Sequence, residues 1–336
     1  MPAPTEEDLL VLYLDGPVEA EAVARLVAAG RRQVRSANPY WDRWGVAVLE
    51  SRFFQHRCGG SVMTMVERPV LVVGATGSTG RRVTRRLREA GLPVRPVSRA
   101  TPVPFDWSQP STWVAAVNGA AALYLMAPDG TAVDPDFVTY AVGHGVERVV
   151  LLSSTNLTEM HDERLLAAEQ TVQESGAEWT ILHPTWFDQN FDEGFFRGPV
   201  MSGELVTPIG DLRQVFVDAE DIAAVAVAAL TGPGHAGRTY ELTGPEALTF
   251  AEAVAVISQL SGRRVRFAGT PDRYLQTQLA AGVPRDRVIA EIDMFAAIQA
   301  RGDDAPTDVV HRVTGRTPTR FADYAAGAAA RGAWRD

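Results

Sequence analysis

Short aliphatic runs alternate with amphipathic stretches along most of this chain. Residues 70–73 form one such run and enter a glycine-rich turn. Behind the turn, Val83, Leu87 and Ala90 fall on one face of a helix that Gly91 and Pro93 stop. Residues 94–98, 122–126, 148–152 and 179–183 read as further strands. The stretches near 111–117, 135–144 and 162–174 read as the helices between them. Strands and helices alternating in this way predict an α/β fold, a Rossmann-like doubly wound parallel sheet. Arg81, Arg82, Arg85, Arg86 and Arg88 read mostly as a solvated helix face, with Arg81 nearest the turn.

After Pro184 the pattern changes. Residues 186–197 are rich in aromatics and acids. Residues 221–230 and 250–260 read as helices, the second led by a capping Thr249. Residues 238–242 and 265–267 read as short strands, and the chain beyond Pro271 is mostly helical. Asp218, Glu220 and Asp221 suit a helix N-terminus, where acids meet the positive end of the dipole. The expectation is a smaller mixed α/β cap over the carboxyl ends of the strands. Three parts follow: an extension at 1–62, a sheet domain at 63–184, and a cap at 185–336 whose strands return to the sheet domain.

In the extension, residues 9–14 and 45–49 read as strands and 18–29 as a helix. Ser36-Ala37-Asn38-Pro39-Tyr40-Trp41-Asp42-Arg43-Trp44-Gly45-Val46 resembles the second half of a vicinal-oxygen-chelate module of the glyoxalase type. The resemblance stops after Glu50, and half a module cannot form that family's two-module metal site. The segment reads as a vestige, with Met63 or Met65 a natural start for the rest.

Composition narrows the function. The chain has 336 residues, 46% hydrophobic and 22% charged, close to a soluble globular average. No uncharged apolar run approaches the roughly 18 residues of a membrane span, and the acidic start MPAPTEEDLL is unlike a signal peptide. A net charge of -9 argues against binding nucleic acid or anionic membranes. One cysteine, Cys58, excludes a disulfide framework and a cysteine-rich zinc site. These features predict a cytoplasmic monomer or homodimer with a small-molecule substrate and no metal. All 32 basic residues are arginine. A Walker A loop, a pyridoxal Schiff base and the Tyr-x-x-x-Lys pair of ordinary short-chain dehydrogenases are therefore impossible.

The candidate chemistry begins at Gly74-Ala75-Thr76-Gly77-Ser78-Thr79-Gly80. Glycines permit a tight turn and let amides approach a pyrophosphate, while the following helix aims its positive end at it. Strand, turn and helix occur here in the order a dinucleotide site requires, making residues 63–184 an NAD(P)-binding domain. Gly74, Thr76, Gly77, Ser78, Thr79 and Gly80 are the candidate phosphate contacts. The second strand ends Ser98-Arg99 with no acid. A hydroxyl and a planar cation suit a 2′-phosphate, so NADPH is expected over NADH. Asp106 suits the adenine amino group and Trp107 its edge; alternatively Asp106 caps the next helix and Trp107 is core. Met126-Ala127-Pro128, Ser153 and Pro184 end strands on the cofactor side. Ser154, Trp186, Phe187 and Asn190 are candidates for substrate contact, although core packing explains part of the aromatic cluster that also holds Phe191, Phe195 and Phe196. His183 ends a strand and reads as structural. No catalytic acid is assigned, because residues 160–168 contain His161 but no tyrosine.

From about residue 68 to 334 the chain resembles the NmrA-like, atypical short-chain dehydrogenases, and within them the clavine dehydrogenase group of ergot-alkaloid chemistry. The residues that carry this are Gly74-Ala75-Thr76-Gly77, Ser98-Arg99, Phe105-Asp106-Trp107, Leu123 to Pro128, Arg148 to Ser153, Pro184-Thr185-Trp186-Phe187 with Asn190-Phe191, Asp221-Ile222-Ala223, and Val313-Thr314-Gly315-Arg316 with Pro318 and Phe321. The resemblance implies a Rossmann fold, NADP(H), and reduction of an iminium, enone or similar acceptor. A quinone or azo reductase and a non-enzymatic dinucleotide sensor are the alternatives. One departure is Leu182-His183-Pro184, where the group usually has Leu-Arg-Pro.

Overall fold

A computed structural model describes residues 68–335. The chain divides into two units, Met1–Val62 and Met63–Asp336, and the described residues all lie in the second. The elements expected in the extension fall outside them.

Seven strands form one fully parallel sheet in the order β3-β2-β1-β4-β5-β6-β9. They are β1 (Val70–Val73), β2 (Val94–Ser98), β3 (Val103–Pro104), β4 (Ala122–Leu125), β5 (Arg148–Leu152), β6 (Glu178–Pro184) and β9 (Arg238–Leu242). The central strands read as continuous apolar runs because both faces of a parallel sheet are covered. Every residue of β1 and β4 is buried. One face is covered by α1 (Ser78–Glu89), whose Val83 and Leu87 are fully buried. The other is covered by α2 (Trp113–Val117), α3 (Pro135–Gly143) and α4 (Glu163–Glu174), through Trp113, Phe137, Ala168 and Val172.

Two readings of the first helix need correction. Ala90 is exposed, because α1 ends at Glu89; its inward stripe is Thr79, Gly80, Val83 and Leu87. Arg82 is buried rather than solvated, and it pairs with Glu193 and Glu220.

The chain after Pro184 does more than form a cap. The helix expected at 221–230 is α6 (Ala219–Thr231), which packs beside α1 on the sheet. Its alanines at 223, 226 and 229 are fully buried and allow that close approach. Next, β9 joins the sheet beside β6, and Val309 and Val310 of a later helix enter the same core. The cap keeps a core of its own around Phe191, Phe216, Phe250, Phe295 and Phe321. It contains the two-stranded sheets β7 (Glu204–Val206) with β11 (Arg266–Ala268) and β8 (Gln214–Val215) with β10 (Ala247–Leu248). Its helix α7 (Phe250–Ser261) is capped by Thr249 in a reciprocal capping box with Glu252.

Unit Met63–Asp336 holds the whole sheet and the three apolar cores. A chain shortened to begin at Met63 is therefore expected to unfold cooperatively, at the melting temperature of the full chain. An insoluble product, or a broad transition in calorimetry, would show that residues 1–62 are an integral part of the fold.

Candidate functional site

The glycine-rich turn is built by contacts that exclude side chains. Gly74 has φ +71°, and a Cβ there would lie 2.2 Å from Met126 Sδ. A Cβ on Gly80 would lie 2.3 Å from the Gly74 carbonyl oxygen. The first glycine turns the chain under Met126, and the second lets α1 start against the loop. The loop is pinned by Ala75 N–H donating to Val97 O and Gly77 N–H to Gly74 O, at 3.1 and 2.9 Å. No side chain caps α1, and its first turn carries no acid. The leading amides and the positive dipole end thus face the loop without a protein counter-charge on the helix itself. The loop lies where the strand order reverses between β1 and β4, the switch point at which open α/β sheets bind ligands. These features fit a dinucleotide diphosphate.

A cavity of about 580 Å³ runs along the carboxyl ends of the strands. It brings together Ser78 and Thr79 of α1, Met126 and Ala127 after β4, and Ser153 and Ser154 after β5. Pro184, Trp186, Phe187 and Asn190 complete its wall on the β6 side. Gly74, Thr76, Gly77 and Gly80 form the adjoining turn, while Pro128 lies outside the lining. Ser98 and exposed Arg99 end β2; the Ser98 hydroxyl accepts from Ala100 N–H, and Arg99 makes no ion pair among the described residues. Asp106 caps neither following helix, since their N-caps are Gln109 and Thr112, and Trp107 is half-buried against the core. Asp106 accepts the Ser108 amide and hydroxyl, at 2.9 and 2.8 Å, which holds its carboxyl below the usual range. Trp107 packs edge-on against Phe105 and Phe137, with centroids 5.0 and 5.3 Å away.

Sequence reading missed part of the wall. Asn156 and Met160 lie just past β5, and Arg164 opens α4. The helices α5 (Arg197–Ser202), α8 (Pro271–Ala280) and α9 (Arg285–Arg301) belong to the cap, and Ile298 of α9 reaches the cavity from far along the chain, as does Asp304. Met160 and the exposed Phe195 give the cavity mouth an apolar rim.

His183 and Ser153 share one acceptor. The Ser153 hydroxyl donates to Glu169 Oε1 of α4, and His183 Nε2 lies 2.7 Å from the same oxygen. Burial pushes the Glu169 carboxyl up, but hydrogen bonds from His183 and Ser153 prevail and hold it below its ordinary value. His183 thus joins β6 to α4, in line with a structural role.

The aromatic wall is held from behind. Trp186 Nε1–H donates to Gln214 Oε1 at 2.9 Å. Its ring lies parallel to Phe295 at 6.4 Å and stacks on Phe196 at 5.8 Å. Phe191 and Phe196 are buried and belong to the cap core. A short turn, Asp188–Phe191, follows the wall. Asp188 is fully buried, and neither carboxyl oxygen has a hydrogen-bond partner. Burial raises its pKa well above the ordinary value, and Asp218, Asp221, Asp192 and Glu246 push the same way. The surrounding acids have partners of their own. Asp218 accepts from Gln189, Asp192 from Tyr324 and Arg331, Asp221 from Thr319 N–H, and Glu246 from Arg320. Glu193 behaves in the opposite sense. Burial opposes its charge, yet hydrogen bonds from Arg82 and Arg81 bring its carboxyl down to about 2. Arg81 thus meets Glu193 beside the start of α1, where Ser78 Oγ also donates to that carboxylate.

Residues 74–233 match a family model described as NAD(P)H-binding. Residues 7–51, outside the described region, match a model described as a YycE-like C-terminal domain, and the glyoxalase resemblance read there gains no support. The chain is 35% identical over 280 residues to the uncharacterized oxidoreductase YesF of Bacillus subtilis, covering 79% of this chain and 97% of the relative. It is 34% identical over 287 residues to the NAD(P)H azoreductase of Xenophilus azovorans, covering 79% and 99%. Agroclavine dehydrogenase of Claviceps fusiformis shares 26% over 275 residues, covering 76% and 95%. In fold the chain is similar to an NADPH-dependent quinone oxidoreductase from Escherichia coli, with TM-score 0.63 and 20% identity over 77% of this chain and 98% of that one.

The buried acid has a pH signature. An unfolded Asp188 titrates near 3.8, and the folded one well above it. The stability its proton supports is complete below 3.8 and is lost as pH rises through the folded value. Asp188→Asn is expected to flatten the fall in melting temperature as the pH rises from about 4. An unchanged or steeper slope by scanning calorimetry would show that Asp188 is ionised and paired in solution.

Proposed function

The chain belongs to the NAD(P)H-binding family of oxidoreductases, and on that premise we propose that it is an NADPH-dependent reductase of small apolar or aromatic acceptors: iminium ions, enones, quinones or azo compounds. When bound, the dinucleotide supplies hydride. The observation that carries the proposal is the make-up of the cavity. Its described lining has no tyrosine, histidine, lysine or cysteine, and the ionisable side chains there are Asp129, Asp162, Arg164 and Asp304.

Reducing a ketone leaves an alkoxide and calls for a proton donor in the transition state. Reducing an iminium ion neutralises charge, and the anions from enones and quinones are delocalised. A site for such acceptors must chiefly orient the substrate and exclude water. The Gly74–Gly80 turn would hold the diphosphate, and Ser98 with Arg99 the 2′-phosphate. Trp186, Phe187 and Asn190 would position the acceptor, with Ser154 beside it. Ser153 is engaged with Glu169 and supports the wall. The relatives named as reductases, including the azoreductase, support this class.

NADPH should be consumed by the full-length chain with at least one of a cyclic iminium, an enone, a quinone and an azo dye. Binding without consumption across that panel is the result a sensor gives. Arg99→Ala is expected to weaken NADPH by more than about tenfold, the worth of a charge-assisted phosphate contact, and to leave NADH nearly unchanged. Equal losses in calorimetry would place the 2′-phosphate elsewhere.

Kinetics test the absence of a general acid. Ser154→Ala, His161→Ala and His183→Gln should each lower turnover by less than the roughly 10²–10⁴-fold expected when a general acid is removed. Trp186→Ala should cost more, through lost orientation. A thousandfold loss in one polar variant, with folding and NADPH affinity intact, would identify an acid.

A further inference from the structure

Two carboxylates of the cavity form no ion pair among the described residues: Asp129, which is exposed to solvent, and Asp304, which is half-buried. Asp162 is paired with Arg164 at 3.0 Å, and the other guanidinium nitrogen of Arg164 donates to Thr131 O, also at 3.0 Å. The single arginine of the described lining is therefore engaged. Asp304 lines the same space half-buried, and among the described residues it forms no ion pair. Arg301 acts on Asp304 through its charge without forming an ion pair, and that side chain pairs with Glu159 at 3.6 Å.

The backbone fixes Asp304 in place. Its N–H donates to Arg213 O at 3.0 Å, and Arg213 N–H donates to the neighbouring Asp303 at 2.8 Å. The next residue, Gln214, opens β8, and its amide holds the Trp186 indole. Arg213 and the first residue of β8 thus set both the carboxylate and the aromatic face on the wall. The α9 helix ends at Arg301, just before Asp304, and brings the negative end of its dipole to this corner.

We propose that Asp304 is a specificity-determining residue that, with the Trp186 ring, selects planar aromatic substrates carrying a delocalised positive charge on nitrogen. This deepens the reductase reading above and rests on it: within that range of acceptors, it commits the site to cations. An indole face attracts such a cation, and a desolvated carboxylate attracts it more strongly. Burial holds the Asp304 carboxyl above its ordinary value; Arg301 and a hydrogen bond from the Gln214 side chain act against this, while Glu241 and Asp303 add to it. A cationic ligand supplies the missing counter-charge. The charge is present in the bound substrate and disappears when the acceptor is reduced, so Asp304 contributes to affinity more than to rate.

The test is calorimetric titration of the full-length chain, without cofactor, using N-methylquinolinium and its neutral isostere 1-methylnaphthalene. The unaltered chain is expected to bind the cation at least about tenfold more tightly, the scale of one charge-assisted contact. Asp304→Asn should remove that preference and leave the neutral compound unchanged. Asp303→Asn, whose carboxylate faces Arg213, should keep the preference. With a reducible iminium and NADPH, Asp304→Asn should raise KM without lowering kcat. Equal binding of the two probes, no binding of the cation at millimolar concentration, or a preference that survives Asp304→Asn each overturns the proposal. These binding arms need no hydride transfer. If they succeed while NADPH is never consumed, the reductase reading fails and the cation site stands; if they fail while quinones are reduced, the reverse holds.

Discussion

A methyl group on residue 80 would press into the Gly74 carbonyl, and much of the molecule is arranged around the contact its absence permits. It lets the first turn of α1 lie against the end of β1. That brings uncapped amides to the switch point of the sheet, while Met126 closes over Gly74 from the next strand in space. The sheet is wholly parallel, so every strand sends its carboxyl end to the same edge. Loops from remote parts of the chain therefore meet there, and the cavity forms at that edge.

The second constraint concerns charge. Five arginines lie on α1, and carboxylates from outside the helix meet four of them: Glu193, from the loop behind the aromatic wall, meets Arg81 and Arg82, and Glu220 of α6 meets Arg82, Arg85 and Arg86. These pairs tie α1, α6 and the wall together at the start of the phosphate-facing helix. Exposed pairs contribute little each, but Arg82 is buried and would be costly to leave without its partners. Arginine suits this role because one planar guanidinium can bond two carboxylates at once. Deeper in the cap, Asp188 avoids the cost of a buried, unpaired charge by keeping its proton.

His183 shows how a local substitution is absorbed. The related group usually has arginine before the proline; here histidine reaches the Glu169 carboxylate instead, and Ser153 shares it. The link between β6 and α4 is thus made here by an imidazole and a hydroxyl on one carboxylate, with no guanidinium in it.

The parallel sheet was legible in the sequence because its signals are local. Strands buried on both faces read as aliphatic runs, and the 3.6-residue period of α1 shows in Val83 and Leu87. The glycine turn was legible too, since each glycine answers a backbone constraint within a few residues. Ten of the proposed site residues line the cavity, because strand ends in this fold must face it. Other features were decided by tertiary structure alone. Strands of the cap were expected to return to the sheet, and β9 does; nothing near α6 indicates that it packs beside α1, because an alanine-rich helix packs equally well on either core until the partner surface is present. Asp106 had two local readings, and its carboxyl instead closes a turn onto Ser108 two residues on. Ile298 and Asp304 carry no motif. They reach the site because Arg213 and the first residue of β8 pin the end of α9 beside Trp186, and a contact between distant segments leaves no period or spacing in the sequence of either one.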